Sequence, residues 1–236
     1  MTMTLDTQFF DMPRFLAGSP LFSGLSPDEL ARIANNCQIR NFAKGEMIFS
    51  VGEACEAFHI VFDGKVKLFV VSPAGQEKVI EIISPGQSFA EALVFLNKPY
   101  ILNAQSLVDT VLVNVSKRGV VDEIEQDPHF ALHMLAGVSR RLHSLVQDVE
   151  AYALQNGMQR LIGYLLRDVE MDTAGGQHTL TVSLPASKAT IASRLSLTPE
   201  YFSRVLHELE ARKLITIDRR EIRILDVTKL LGYGAQ

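Results

Sequence analysis

Residues 187–212 read SKATIASRLSLTPEYFSRVLHELEAR, and this stretch decides the fold of the C-terminal third. Its pattern predicts a helix from about Ser187 to Leu195, a turn at Ser196-Leu197-Thr198, and a second helix. Thr198 can cap the second helix with its hydroxyl, and Pro199 suits the first helical position, where no backbone donor is missed. On that helix Phe202, Val205, Leu206 and Leu209 share one face at spacings of three and four. Glu200, Ser203, Arg204 and His207 share another. A carboxylate, a hydroxyl and a guanidinium near a helix N-terminus can read base edges in a major groove. Arg suits guanine, Glu accepts from the cytosine amino group, and Ser bonds to either. Helix-turn-helix shapes also occur as plain packing units, so the pattern alone leaves both readings open.

The residue order narrows the choice. TPEYFSRVL (198–206) closely resembles the recognition helix of the FNR branch of the CRP/FNR transcription regulators, whose E-x-x-S-R motif falls here on Glu200, Ser203 and Arg204. The next segment, LITIDRREIRILD (214–226), resembles the β-wing of that family's winged helix. The resemblance implies a palindromic double-stranded DNA partner with TTGAT-type half-sites, and RNA polymerase as a second partner. Arg204 would read a guanine, Glu200 a cytosine on the opposite strand, and Ser203 a neighbouring pair. Ser187, Lys188, Thr190, Thr198, His207 and the wing-tip pair Arg219-Arg220 are candidates for phosphate contacts.

Charge is compatible with this reading only through its distribution. The 236 residues carry 23 Lys and Arg against 27 Asp and Glu, a net −4. Residues 157–236 hold 11 of those cations and 9 of the acids, so the DNA-reading part is net +2 and the remainder −6. A mildly basic module needs a second copy or local clustering to gather enough phosphate contacts. Hydrophobic content of 47% and charged content of 21% are those of an ordinary globular chain. No apolar run approaches the roughly 18 residues that span a bilayer, so no membrane partner is expected. MTMTLDTQFFDMPRF lacks the basic and apolar regions of a secretory signal, and a cytoplasmic location is the default. Cys37 and Cys55 give neither a disulfide framework nor a metal cluster within one chain.

Earlier in the chain, Ser26-Pro27-Asp28-Glu29 is a helix start. From 37 to 118 helical spacing disappears. Runs such as MIFSV, FHIVF, VKLFVV, KVIEII and TVLVNV alternate with turn signals. Glycines 52, 64, 75 and 86 are spaced by 12, 11 and 11 residues, the rhythm of a small antiparallel sandwich or barrel. KGEMIFSVGEACEAFHIVFDGKVKLF (44–69) and GQEKVIEIISPGQSFAEA (75–92) resemble the cyclic-nucleotide-binding β-roll of the same family.

Departures from that family pattern bear on the effector. Where cyclic-AMP-binding members carry an Arg-Ser pair for the cyclic phosphate, this chain has Ile101-Leu102, flanked by Tyr100 and Asn103. Glu91 matches the family's acidic residue, and Ala90 replaces the Gly before it. A buried phosphate needs a cationic or multi-donor partner, so cyclic nucleotide binding is not expected. The FNR branch's iron–sulfur cluster is excluded because the N-terminal cysteine set is absent. The expected effector pocket comprises Phe89, Glu91, Ala92, Tyr100, Ile101, Leu102 and Asn103. The chain most resembles the DNR group of nitrogen-oxide-responsive regulators, which implies haem-based nitric oxide sensing. Haem commonly takes a His ligand, and the candidates are His59, His133 and His143. Each is also explained as an ordinary strand or helix-surface histidine.

Asp127-Pro128 opens a long helix over 127–155. Ala131, Leu135, Val138, Leu142, Leu145, Val149 and Tyr152 follow alternating steps of four and three, a coiled-coil seam that predicts a homodimer. Asn156-Gly157 reads as its stop and as a hinge. MQRLIGYLLRDVEM (158–171) then reads as a helix and Ala174-Gly175-Gly176-Gln177 as a turn. The expected fold is α+β. It comprises N-terminal helices and a cyclic-nucleotide-type β-roll sensor (1–126), a dimerisation helix (127–156) and a winged helix-turn-helix (157–236). The rival readings are a cyclic-nucleotide-responsive regulator of the CRP type and a cupin-like metal enzyme on the roll. The enzyme would need several His and carboxylates at one metal, and the roll holds one His with no His-x-His pair.

Overall fold

The computed structural model describes residues 10–22, 24–166 and 179–234. The chain forms two compact units, Met1–Ser144 and Leu145–Gln236, with the division inside the long helix.

The first unit begins with α1 (Met12–Ala17), a 3-10 turn at Pro20–Phe22 and α2 (Pro27–Ala34). Ser26 and Glu29 cap α2 reciprocally, the Ser hydroxyl accepting from the Glu29 amide and the Glu carboxylate from the Ser26 amide. Strands β1 (Cys37–Phe42), β2 (Met47–Phe49), β3 (Ala57–Asp63), β4 (Val66–Val71), β5 (Glu77–Ile83) and β6 (Ser88–Phe89) follow. Next come α3 (Glu91–Leu96), β7 (Asn103–Ser106), β8 (Thr110–Ser116) and α4 (Lys117–Gln126). Two antiparallel sheets, ordered β1-β8-β3-β6 and β2-β7-β4-β5, make the roll.

Strand β3 explains why FHIVF is a continuous apolar run rather than an alternating one. Side chains on a strand alternate between faces, and here both faces are covered. Phe58 meets Phe22 of the 3-10 turn with ring centroids 6.1 Å apart, and Phe62 meets Phe10 at 5.0 Å and Phe15 at 5.3 Å. His59, on the opposite face, looks across to Phe49 of the other sheet at 5.5 Å. Gly64 turns the chain from β3 to β4 at φ 90°, a conformation that L side chains rarely adopt. Arg32 of α2 holds α4 through a two-pronged contact with Glu123, each Nε to carboxylate distance being 2.9 Å.

Helix α5 (Pro128–Leu154) carries two apolar faces. Phe130 and Met134 are part of the roll's core. Gly137, the next position on that face, lies so close to Leu21 that a Cβ would stand 2.6 Å from its Cδ1. Met134 therefore belongs to the chain's own roll. The seam itself points away. Leu135, Leu142 and Val149 are 61%, 61% and 66% exposed, Leu145 is exposed and Val138 is half-buried. The side chain of Tyr152 lies outside the described residues.

The second unit contains α6 (Gly157–Leu166), β9 (Leu180–Ser183), α7 (Lys188–Arg194), α8 (Pro199–Ala211), β10 (Ile215–Asp218), β11 (Glu221–Ile224) and α9 (Val227–Gly234). Its antiparallel sheet runs β10-β11-β9. The long helix stops at Leu154 and α6 opens at Gly157, so the expected break at Asn156-Gly157 falls between the two helices. Asn156 begins α6, its side-chain oxygen accepting from the Gln159 amide at 2.9 Å while Gln159 accepts from the Asn156 amide at 2.8 Å. This reciprocal bonding satisfies orphan donors at a helix start rather than carbonyls at an end. The turn at 174–177 and the end of the predicted 158–171 helix lie outside the described residues. Among the described residues, no helix is long and apolar enough to cross a membrane.

Candidate nucleic-acid interface and effector site

The two helices of the 187–212 stretch are built by their own caps. Ser187 accepts from the Thr190 amide at 3.1 Å, and Thr198 from the Tyr201 amide at 3.2 Å. Both helices end in paired carbonyl caps of the Schellman type. On α7 the Leu197 amide reaches the Ala192 carbonyl at 2.9 Å, and the Ser196 amide reaches Ser193 at 3.2 Å. On α8 the Leu214 amide reaches Leu209 at 3.0 Å, and Lys213 reaches Glu210 at 2.8 Å. The left-handed residue is Ser196 (φ 56°) in one and Lys213 (φ 57°) in the other, where Gly is usual. The turn is thus specified by hydrogen bonds despite lacking glycine.

Helix α8 buries Phe202, Val205, Leu206 and Leu209 and leaves Glu200, Arg204 and His207 exposed, with Ser203 at the border. Arg204 lies over the ring of Tyr201, its Cζ 4.8 Å from the centroid. His207 Nδ1 is 3.7 Å from Glu210 Oε2. Glu210 also accepts from the Ile217 amide at 3.0 Å, which ties α8 to the first wing strand. Arg219 (φ 53°) and Arg220 form the exposed turn between β10 and β11. At the start of α7 the Ser187 and Thr190 hydroxyls bond to each other at 2.8 Å, and Lys188 is half-buried. The caps of Ser187 and Thr198 use hydroxyl lone pairs, which leaves the Thr198 proton and one of the Ser187–Thr190 protons to donate to a phosphate.

In the roll, the buried imidazole of His59 stands among aromatic rings. Phe89 is 5.0 Å from it, and Tyr100 lies flat on Phe49, centroids 3.6 Å apart and planes 4° apart. His59 Nδ1 is 2.8 Å from Asn114 Oδ1, and Nε2 is 3.1 Å from the Tyr100 hydroxyl, which also reaches the Ala57 carbonyl at 3.0 Å. Burial pushes the His59 pKa down to about 4 and raises that of Tyr100. Burial likewise pushes the Cys37 thiol up to about 12 and raises Cys55, so neither is poised as a thiolate.

The His59 shift gives a stability expectation. Below its ordinary value of 6.5 the unfolded chain takes up a proton that the folded roll refuses, so stability falls as pH falls from about 6.5 toward 4. Between pH 7.5 and 5 this term amounts to about 2 kcal/mol. Urea unfolding at the two pH values should show a shallower difference for His59→Gln than for the parent. Equal differences would contradict the burial-driven shift.

Comparison with known proteins joins the two units. A cyclic nucleotide-binding domain model matches residues 39–127, and a Crp-like helix-turn-helix domain model matches 159–233. The cyclic AMP receptor protein of Thermus thermophilus is 26% identical over 220 residues, 89% of this chain and 97% of the relative. The solved structure of DNR from Pseudomonas aeruginosa is 32% identical, covers 99% of this chain and 100% of its own, and superposes with a TM-score of 0.52. The chain belongs to the CRP/FNR family of transcription regulators. FixK2 of Bradyrhizobium japonicum, at 22% identity, shares the fold with a TM-score of 0.73 over 85% of this chain and 98% of its own.

As a CRP/FNR regulator the chain is a DNA-binding protein with an N-terminal effector-binding domain. The seven residues expected to form one effector pocket differ in burial. Phe89, Glu91 and Tyr100 are buried, Leu102 and Asn103 are half-buried, and Ala92 and Ile101 are exposed, Ile101 at 60%. Ile101 and Leu102 lie in a bend before β7, and Ala92 is on the exposed side of α3. Glu91 bonds to the Ser88 hydroxyl at 2.7 Å. Asn103 accepts from the Val51 amide at 3.1 Å. Ala90 holds the left-handed conformation (φ 68°) at the position where the family carries Gly.

The haem candidates fare differently. Both ring nitrogens of His59 are engaged, and the face it looks toward is filled by Tyr100 on Phe49. His133 packs against Gly24, a Cβ built there standing 3.3 Å from its Cε1, and His143 lies on the exposed side of α5. In this arrangement these residues do not fit a haem. Among the described residues no cluster of three or more His, Cys, Asp or Glu could hold a metal ion. Tyr201, Phe49 and Asn114 are the participants that sequence reading misses. Tyr201 had a signal, an aromatic three residues before Arg204 on a helix. Asn114 meets His59 through the pairing of β3 with β8, and Phe49 meets it through the packing of the two sheets.

Proposed function

We propose that this protein is a cytoplasmic, homodimeric regulator that reads a TTGAT-type palindrome through α8. It would divide into a sensor (1–126), a dimerisation helix (127–156) and a DNA-binding domain (157–236). The observation that carries this reading is the two-sided character of α8, with Glu200 and Arg204 exposed opposite a buried apolar face. Two such helices one DNA turn apart enter successive major grooves, so the operator is a palindrome. Arg204 pairs with a guanine, Glu200 with the opposing strand's cytosine, and Ser203 with a neighbour. Ser187, Lys188, Thr190, Thr198, His207, Arg219 and Arg220 hold phosphates. RNA polymerase is the protein partner that the family resemblance implies.

The test is titration of a TTGAT palindrome and of duplexes with single base pairs changed in each half-site. Arg204→Ala should cost about 1–3 kcal/mol and flatten discrimination at one pair. Equal binding by variant and parent would remove α8 from base readout.

The effector of the roll is neutral. Its support is the uncharged Ile101-Leu102 pair at the family's phosphate position and a neutral His59 inside an aromatic set. Titration calorimetry with cyclic AMP should show no binding. Nitric oxide sensing through haem rests on the DNR resemblance. An absorption spectrum of the protein mixed with haem, with and without nitric oxide, tests it beside operator titrations. A stoichiometric Soret band and a nitric-oxide-dependent operator affinity would support it. No haem uptake with DNA binding intact would discard the haem and keep the regulator. Signal passage follows from Phe130 and Met134, which root α5 in the roll. An effector that prefers one of two packings there would reset the two DNA-binding domains.

A further inference from the structure

The guanidinium of Arg204 is exposed, and a long exposed side chain is spread over many rotamers. A side chain that must meet one base edge gains from being held beforehand. Here the ring of Tyr201 lies under the Arg204 guanidinium, with Cζ 4.8 Å from the centroid. Tyr201 itself has a close neighbour on α6. Gly157, the first residue of α6, approaches it so closely that a Cβ would stand 2.5 Å from Tyr201 Cε1 and 2.8 Å from Leu197 Cδ2. Gly157 has no positive φ, so the constraint is space rather than backbone conformation. Arg160, one turn further along α6, donates to the Gln155 carbonyl at 3.2 Å and to the Ser196 carbonyl at 3.4 Å. One guanidinium thus spans the chain before α6 and the turn before α8.

We propose that Tyr201 is the positioning residue for Arg204, and that Gly157 sets Tyr201 in place, so that the entry to α6 tunes base discrimination. The proposal rests on the reading that Arg204 contacts a base. A preformed guanidinium stack at an exposed site corresponds to roughly two- to five-fold in binding per contact.

The experiment uses the full chain and fluorescence-anisotropy titrations of two duplexes. One is a TTGAT palindrome, and the other has the guanine pair changed in both half-sites. Tyr201→Leu should lower the ratio of the two affinities by roughly two- to five-fold per half-site. Tyr201→Phe, which keeps the ring face, should restore it. Gly157→Ala, which leaves Tyr201 and Arg204 chemically intact but displaces the ring, should reproduce the Leu result. In an Arg204→Ala background, Tyr201→Leu should leave the ratio unchanged.

A merely structural role predicts something else: both duplexes weaken equally and the ratio holds. That result, with Arg204→Ala still collapsing the ratio, overturns the proposal and leaves base readout standing. An unchanged ratio in Arg204→Ala alone would instead remove the reading beneath it. Were Tyr201→Leu to unfold the domain, an unchanged ratio in Gly157→Ala would overturn the proposal by itself.

Discussion

Leu142→Glu should convert the proposed dimer to a monomer and abolish high-affinity binding to the proposed palindrome. Leu142 is 61% exposed in the single chain, and it lies in the middle of a seam with Leu135, Leu145 and Val149. In a two-fold pairing each seam position occurs twice, so one substitution removes two buried leucines and introduces two facing carboxylates. Losing the two side chains costs about 5 kcal/mol, which is three to four decades in dimer dissociation. Like charges opposite each other add to that. The second half-site contact goes with the dimer, so operator affinity should fall in parallel. Sedimentation of parent and variant, read beside operator titrations, checks both. A variant that remains dimeric and binds the palindrome normally would place the interface elsewhere than on this seam. A substitution on the opposite face, Met134→Glu, should act differently. It should unfold the roll, because Met134 is buried against the chain's own core.

Gly64→Ala should be the most destabilising single methyl in the roll, by roughly 3–5 kcal/mol. Two causes add. Gly64 has φ 90°, which disfavours any side chain. A Cβ there would also stand 2.5 Å from Thr110 Oγ1, 2.6 Å from the Asp109 carbonyl oxygen and 2.7 Å from the Thr110 Cα. Two of those atoms are backbone in the approach to β8, which pairs with both β1 and β3, so relief requires moving a sheet. Gly75 separates the two causes. It has φ 78° but open space around its Cβ position. Gly75→Ala should therefore cost only the conformational part, about 1–2 kcal/mol. Urea unfolding of both variants reads the difference. Equal losses would show that backbone conformation, and not the close approach to Thr110, dominates at Gly64.

Much of the molecule is local information and was legible as such. Thr198-Pro199 starts α8 because a hydroxyl cap and a fixed φ act within three residues, and Phe202, Val205, Leu206 and Leu209 mark its buried face by spacing alone. The glycine rhythm at 52, 64, 75 and 86 announces the roll because each hairpin needs a positive φ at its bend. Asn156-Gly157 marks the break between α5 and α6, yet the same two residues can end one helix or begin the next. Only the reciprocal bond with Gln159 decides.

The effector site was least legible. Tyr100 lies beside Ile101 in sequence, yet Tyr100 is buried on Phe49 of a distant strand and Ile101 is exposed in the bend before β7. The sequence alone determined the helix-turn-helix with its exposed Glu200 and Arg204, the mainly β character of 37–118, which α3 interrupts, and the apolar seam on α5. Each depends on residues within a few positions of one another. The tertiary structure decided which face of α5 serves its own roll, that His59 is buried between Asn114 and Tyr100, and that Gly157 comes close to Tyr201, over whose ring Arg204 lies. Those pairs are separated by tens of residues, and contacts between them arise only when distant strands and helices pack.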